Sequence, residues 1–262
     1  MSYKIGVISD IHSNLNSLKK SIEKLKEHNI DMCVCLGDLL TYGFQPNEVI
    51  QEIVDFSNTV NCIFIKGNHD QFYFDLQANK AVLNYNMPEF VRESVEWTLS
   101  ELDYNLADIF KWNESFVYEK IFFAHANAFE YGDWRYLNDL FFIKQNAIRI
   151  NELNCQVGFF GHTHRQKNYK MNNSRIVSEC FEKEIGILND ELYILNPGSV
   201  GQPRGTFPGL AIIDFNDDFN EITVNFLDID VDVDMVVRDI DLSFFSDMTK
   251  KKLKSYWEGL WQ

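Results

Sequence analysis

Residues 4–12 read KIGVISDIH. The first six form a short apolar run with β-branched residues, the form of a strand buried on both faces of a parallel sheet. An acid and an imidazole, Asp10 and His12, follow at once. Outward from here the period changes. From Asn14 onward, Leu15, Leu18, Ile22 and Leu25 recur at helical spacing, with Lys and Glu between them. MCVCL (residues 32–36) is a second buried strand. Pro46 then opens a helix with Val49, Ile50, Ile53 and Val54 on one face, since proline suits a first turn. CIFIK (residues 62–66) is a third strand. This order predicts parallel strands joined by right-handed crossovers, and hence an α/β fold.

Residues 71–118 break the rhythm. They are aromatic and acidic, with helical periodicity around EFVRESVEWTLSEL and Pro88 as a helix start, and are expected to form a helical cap insert. Alternation resumes with KIFFAH (120–125), a helix near 138–152 and QVGFFGH (156–162). From residue 175 the short runs RIVSECF, ELYILN, GLAIIDF and EITVNFL predict a second sheet with an antiparallel leaning. The end, MTKKKLKSYWEGLWQ, is expected to be an amphipathic helix whose Trp257, Leu260 and Trp261 dock on the body or meet a second copy in a homodimer. The chain thus divides into one domain, 1–262, with the insert at 71–118.

With 262 residues, 45% apolar and 15% aromatic, the chain can bury a full core. Its 39 acidic and 24 basic side chains leave a net charge of −15. That field disfavours long nucleic acid, and no basic stripe offsets it. Five cysteines show no metal-ligand pattern; Cys33 and Cys35 read as reduced core residues, as in a reducing cytosol. No stretch approaches the ~18 apolar residues of a membrane span, and no basic-then-apolar leader opens the sequence. The expectation is a soluble, cytoplasmic protein with no membrane partner.

Each apolar run ends in a residue fit for chemistry. Asp10 and His12 follow the first strand and Asp38 the second; Asn68, His69 and Asp70 follow the third. His125 closes the fourth, and the fifth delivers His162 and His164. Five of the six histidines fall at these ends, leaving only His28 elsewhere. Carboxyl ends of strands are where an α/β sheet gathers its ligands. Burying so many polar groups together without a cation would leave charge unpaired. A mixed Asp/His/Asn set suits manganese, iron, zinc, cobalt or nickel. Asp10, His12, Asp38, Asn68, His125, His162 and His164 overfill one site, so two ions with a bridging carboxylate are implied.

In this order, SDIHSN, GDLLTYG, GNHD, AHANA and GHTH resemble the motifs of the calcineurin-like metallophosphoesterase superfamily. NPGSVGQPRG (196–205), together with Tyr42, Gly43 and Pro46 of GDLLTYGFQPNEVI, is similar to a subgroup of small prokaryotic phosphoesterases. The resemblance implies a two-sheet β-sandwich flanked by helices, a four-layer αββα arrangement, with a dinuclear centre at the sheet edge. It implies that Asp10, His12, Asp38 and His164 hold one ion, and that Asp38, Asn68, His125 and His162 hold the other. The ions would be divalent or a mixed-valence pair, manganese being the first choice. His69 would face substrate as a proton donor with Asp70 orienting it, and Asn68 would also lie at the substrate. Arg165 and Arg204 are candidate phosphate clamps, since a guanidinium fork fits phosphate oxygens.

Departures narrow the chemistry. Protein phosphatases of the superfamily carry arginines where this chain has Tyr42-Gly43 and Gln71. Repair nucleases add a DNA-binding cap, which the negative charge opposes. A small phosphorylated, nucleotide-like substrate remains: a phosphodiester, or a phosphoanhydride such as a dinucleoside polyphosphate. The alternatives are a phosphomonoesterase and a catalytically weak scaffold of the same fold; the intact His69 and ligand set favour an enzyme. Phe72, Tyr73, Phe74 and Tyr85 stack a base, pack the core or form a dimer face.

Overall fold

Strict alternation along the central strands decides the layers. In the computed structural model, which describes residues 2–80, 87–219 and 221–258, β1 (Tyr3–Ile8) points Ile5 and Val7 one way and Ile8 the other. In β2 (Met32–Cys35), Met32 and Val34 join Ile5, while Cys33 and Cys35 face the opposite side. Later, β6 (Ile121–Ala124) and β7 (Val157–Phe160) send Ile121, Phe123, Val157 and Phe159 into that same middle core. Their other faces, Phe122, Ala124 and Phe160, meet Phe142, Ile143, Ala147 and Ile150 of α6 (Leu140–Glu152). Two sheets therefore share one core, each with helices on its outer face, as the four-layer reading anticipated.

The first sheet has the order β10-β13-β12-β1-β2-β3-β4, and the second β5-β6-β7-β11-β8-β9. In the first, β1, β2, β3 (Asn61–Ile65) and β4 (Trp112–Asn113) run parallel. Its helical layer begins with α1 (Leu15–Glu27), capped by the Asn14 side chain, and α2 (Pro46–Ser57), with Pro46 in its first turn. The runs after residue 175 do not all enter the second sheet. There, β8 (Asn168–Met171), β9 (Val177–Cys180) and β11 (Leu192–Leu195) lie beside β6 and β7. By contrast, β12 (Gly209–Phe215) pairs antiparallel with β1, and β13 (Ile222–Asp228) and β10 (Glu184–Gly186) extend that edge. Alternation told which faces of β12 are buried, but the partner was set by long-range pairing that local pattern does not encode.

Within 71–118 lie the rest of α3 (Asn68–Gln77), then α4 (Glu89–Glu101) and α5 (Leu106–Ile109). Their Tyr73, Val91, Val95 and Leu106 share one core with Leu18 and Ile22 of α1, so these helices extend the outer layer of the first sheet. The segment ends in strands: β4, and β5 (Ser115–Tyr118), which pairs with β6. Tyr73 is fully buried, and Phe72 and Phe74 pack on the same core, as the packing reading has it; Tyr85 lies outside the described residues. At the C-terminus, α7 (Val233–Leu242) and α8 (Asp247–Lys254) bring Leu253 and Trp257 into that core. Leu260 and Trp261 also lie outside the described residues. No helix among the described residues is long and apolar enough to cross a membrane.

Candidate metal centre

The loops after β1, β2, β3, β6 and β7 converge on one edge of the sandwich. Asp10, His12, Asp38 and His164 form one group of potential ligands, and Asp38, His125 and His162 a second, all six buried and Asp38 common to both. Within each group the ligand atoms lie within 4.8 Å of one another. Asn68 Oδ1 stands 3.1 Å from His125 Nε2, which places it beside the second group. These are the seven residues the strand ends pointed to.

Every imidazole in the two groups has one nitrogen tied to a backbone carbonyl. His12 Nδ1 lies 3.0 Å from the Leu40 oxygen, His125 Nδ1 2.7 Å from Leu36, and His164 Nδ1 2.7 Å from Gln202. His162 instead uses Nε2, 2.9 Å from the Trp134 oxygen. A carbonyl only accepts, so the tied nitrogen carries a proton, and on the neutral rings of His12, His162 and His164 the other presents a lone pair. His12 Nε2 and His164 Nε2 thereby face each other at 3.1 Å, lone pair to lone pair. The carboxylates repeat this division of labour. Asp10 Oδ2 accepts from Ser9 Oγ and the His162 amide, and Asp38 Oδ1 from the His69 amide. Asp10 Oδ1 and Asp38 Oδ2 are buried with no hydrogen-bond partner. Asp38 Oδ2 is 3.3 Å from His125 Nε2, and Asp10 Oδ1 3.5 Å from His164 Nε2. Such a ring of acceptors is stable only around cations. The residues present therefore fit a pair of ions sharing Asp38.

Electrostatics agree. Burial drives His12 and His164 well below the ordinary histidine range and His162 down to about 3, so all three are neutral ligands near pH 7. Burial works against the His125 imidazolium too, but the Asp38 carboxylate outweighs it and raises the group to about 9. A proton on His125 thus does, in the metal-free protein, what a cation would do. Burial also raises Asp10 to about 7, with Asp38 adding to the effect.

The backbone is bent to make this convergence. Asp10, His12, Asp38, His162 and His164 all hold φ between 49° and 61°, a left-handed conformation rare outside glycine. Gly67 and Gly161 allow close approaches around the ligands: a Cβ would meet Asp38 Oδ1 at 2.1 Å in the one case and Ser9 Oγ at 1.9 Å in the other. From behind, the 196–205 loop braces β1, with Ser199 Oγ donating to the Asp10 carbonyl and the amides of Val200 and Gly201 to Ser9 and Asp10.

His69 lies beside the first group but in neither. Its Nδ1 is 3.1 Å from Thr41 Oγ1, which is 2.7 Å from the Tyr73 hydroxyl; its Nε2 is 3.3 Å from the Tyr42 hydroxyl. Asp70 does not orient this ring. Its carboxylate accepts from the amides of Gly67, Asp38 and Leu39, pinning the β2 loop to the start of α3. Burial holds His69 down at about 4, so its ring is neutral near pH 7. Arg165 is exposed, and its guanidinium bonds none of the described residues. Arg204 is half-buried, its amide donating to the His164 carbonyl and its side chain to Gln202 Oε1. Thr41, Trp134 and Tyr136, whose ring stacks on His162 at 4.3 Å, were not anticipated. Of these, only Thr41 gave a signal, as a polar residue in the loop after an apolar strand.

Comparison with known proteins bears on this centre. The pattern of the calcineurin-like phosphoesterase superfamily domain matches residues 3–218. The chain belongs to that superfamily, whose members are metal-dependent hydrolases. It is 28% identical over 200 residues to the uncharacterized protein MJ0912 of Methanocaldococcus jannaschii, covering 76% of this chain and 77% of that one. The fold is similar to that of a metallophosphoesterase from Sphaerobacter thermophilus, with a TM-score of 0.72, 20% identity, and 97% and 99% of the two chains covered. It is equally similar to the hypothetical protein PH1004 from Pyrococcus horikoshii, with a TM-score of 0.71, 17% identity, and coverages of 96% and 97%.

Proposed function

We propose that the protein is a dinuclear-metal phosphoesterase acting on small phosphodiesters or phosphoanhydrides. The observation that carries this reading is the pairing of Asp10 Oδ1 and Asp38 Oδ2, both buried and unbonded, with four imidazoles whose free nitrogens turn toward them. Asp10, His12, Asp38 and His164 would hold one ion, and Asp38, Asn68, His125 and His162 the other; the hard and borderline donors suit manganese first, then iron, zinc, nickel or cobalt. Such ions lower the pKa of water and neutralise charge on a phosphoryl group. The rest falls to the chain itself. Thr41 Oγ1, itself bonded to the Tyr73 hydroxyl, holds His69 Nδ1 and fixes the orientation of the ring. Its Nε2 lies 3.3 Å from the Tyr42 hydroxyl. His69 acts as a proton donor only on gaining a second proton: the imidazolium gives one to a leaving oxygen and returns to the neutral ring. Arg204, anchored beside His164, supplies a fixed positive charge for non-bridging oxygens. The exposed Arg165 has no such anchor.

Elemental analysis and a panel of phosphate compounds, run on metal-reconstituted wild type and Asp38→Ala, test the reading. The wild type should hold two ions per chain and hydrolyse small substrates, while Asp38→Ala loses both properties together. A variant that kept two ions and full turnover would sink the shared-ligand arrangement. A fully metallated wild type that hydrolysed nothing would favour the scaffold instead.

A further inference from the structure

The helices α7 and α8 lie beyond the residues 3–218 that the family pattern covers, and Tyr256, just after α8, ends a chain of ring contacts that leads to His69. Tyr42, whose hydroxyl lies 3.3 Å from His69 Nε2, stacks on Phe90 with centroids 5.9 Å apart, and Phe90 meets Tyr256 at 6.5 Å. Two cations lie against Tyr256. The Arg204 guanidinium carbon is 5.1 Å from the ring centroid and Lys252 Nζ 4.7 Å from it; Lys252 Nζ is also 5.9 Å from the Phe90 centroid.

Among the described residues neither charge has an acid in contact with it, the Arg204 side chain donating to the neutral side-chain amide of Gln202. Arg204 Nε is buried with no hydrogen-bond partner. Elsewhere on the same helix, Lys254 pairs with Asp241 at 2.7 Å and Lys250 donates to the Asp241 carbonyl. Two like charges gathered at one ring repel each other, in a chain whose net charge is −15 and which has acids to spare. An anion bound by both relieves that repulsion. The ring holds both cations by their attraction to its π system.

We infer that Lys252 and Tyr256, with Arg204, form a second anion subsite beside the metal centre, so that the protein prefers substrates with a further phosphate group beyond the one attacked. This rests on the phosphoesterase reading, and Lys252 and Tyr256 lie beyond the residues 3–218 that the family pattern covers.

Binding of AMP and of ADP, which differ by one phosphate, tests it on manganese-loaded full-length protein by calorimetry, with competition against p-nitrophenyl phosphate hydrolysis as a second readout. Wild type should bind ADP more tightly than AMP. Lys252→Ala should weaken ADP about tenfold, the worth of one charge-assisted hydrogen bond, and leave AMP within about twofold. Lys252→Arg should retain the preference, and Tyr256→Leu should reduce it. Lys252 is exposed, so an unchanged melting temperature separates lost binding from lost folding. Equal losses for the two ligands, or none, in protein that still binds both would overturn the subsite and leave the phosphoesterase reading standing. Wild type that bound neither nucleotide and hydrolysed no phosphate compound would overturn both.

Discussion

Thr41 has a defined task. Fully buried, with φ at 80°, it stands between the Tyr73 hydroxyl and His69 Nδ1. Valine matches its shape and its branching but cannot hydrogen-bond. Thr41→Val should therefore leave Nδ1 unpaired, loosen the orientation of the ring, and cost about 10- to 100-fold in turnover of alkyl esters. The loss should shrink on p-nitrophenyl esters, Thr41→Ser should restore turnover, and elemental analysis should find metal content unchanged in both variants. Equal losses on both ester types would point to a packing defect instead. At this scale the ligands were legible because carboxylates, amides and imidazoles announce themselves wherever a strand ends. Their partners were not. The carbonyls of Leu36, Leu40, Trp134 and Gln202 exist in every residue type, and only the folded chain selects them. Asp70 shows the reverse hazard: its position beside His69 suggested a contact that its three amide donors preclude.

Among the elements, the tie between α4 and α8 is the one with a pH signature. Glu93 accepts from the Ser246 amide and hydroxyl and from Thr249 Oγ1, so a carboxylate of one helix caps the N-terminus of the other. Burial favours the neutral acid, but these donors outweigh it and hold Glu93 below its ordinary value of 4.5. A group depressed on folding contributes stability above its unfolded pKa and loses it as pH falls through the folded value. Glu93→Gln should thus cost about 1–2 kcal/mol near neutrality, discounted for solvent exposure, and the gap should close as acid protonates the wild-type carboxylate. Urea titrations at several pH values would show it; a gap that persisted in acid would rule the mechanism out. Sequence periodicity placed α1, α2, α4 and α6 well, since each has an apolar stripe and a start signal. It did not find β8 or β10, which span four and three residues. Such strands are too short for alternation to show, and pairing alone makes them.

Over the whole molecule, charge sets what can approach. The net −15 surrounds a site whose own cations are few. Raising ionic strength from about 0.01 M to about 0.15 M shortens the screening length from about 30 Å to about 8 Å. For a protein that binds DNA, salt of this kind weakens association by releasing counterions. Here it should strengthen any residual association with a long duplex, because it screens repulsion. Fluorescence anisotropy with a labelled duplex would settle the sign of the slope, and a steep loss of binding with salt would contradict the acidic-surface argument.

The convergence of the candidate ligands from both sheets would make each bound ion a clasp. Asp10, His12 and Asp38 belong to loops of the first sheet, and His125, His162 and His164 to loops of the second. Filling either group would fasten one sheet to the other at that edge alone, while the far ends of the strands rely on apolar contact. Loading at 100 times the dissociation constant contributes about 2.7 kcal/mol per ion to the closed state. Chelation should accordingly lower the melting temperature and let the sandwich gape from one side. Hydrogen exchange would register this as faster loss at the amides of Asp10, His12 and His162, which bond across these loops. The amides of Ile5 and Val7, in the middle of β1, should keep their protection. Uniform quickening along β1 would mean that the clasp is no more local than any other ligand.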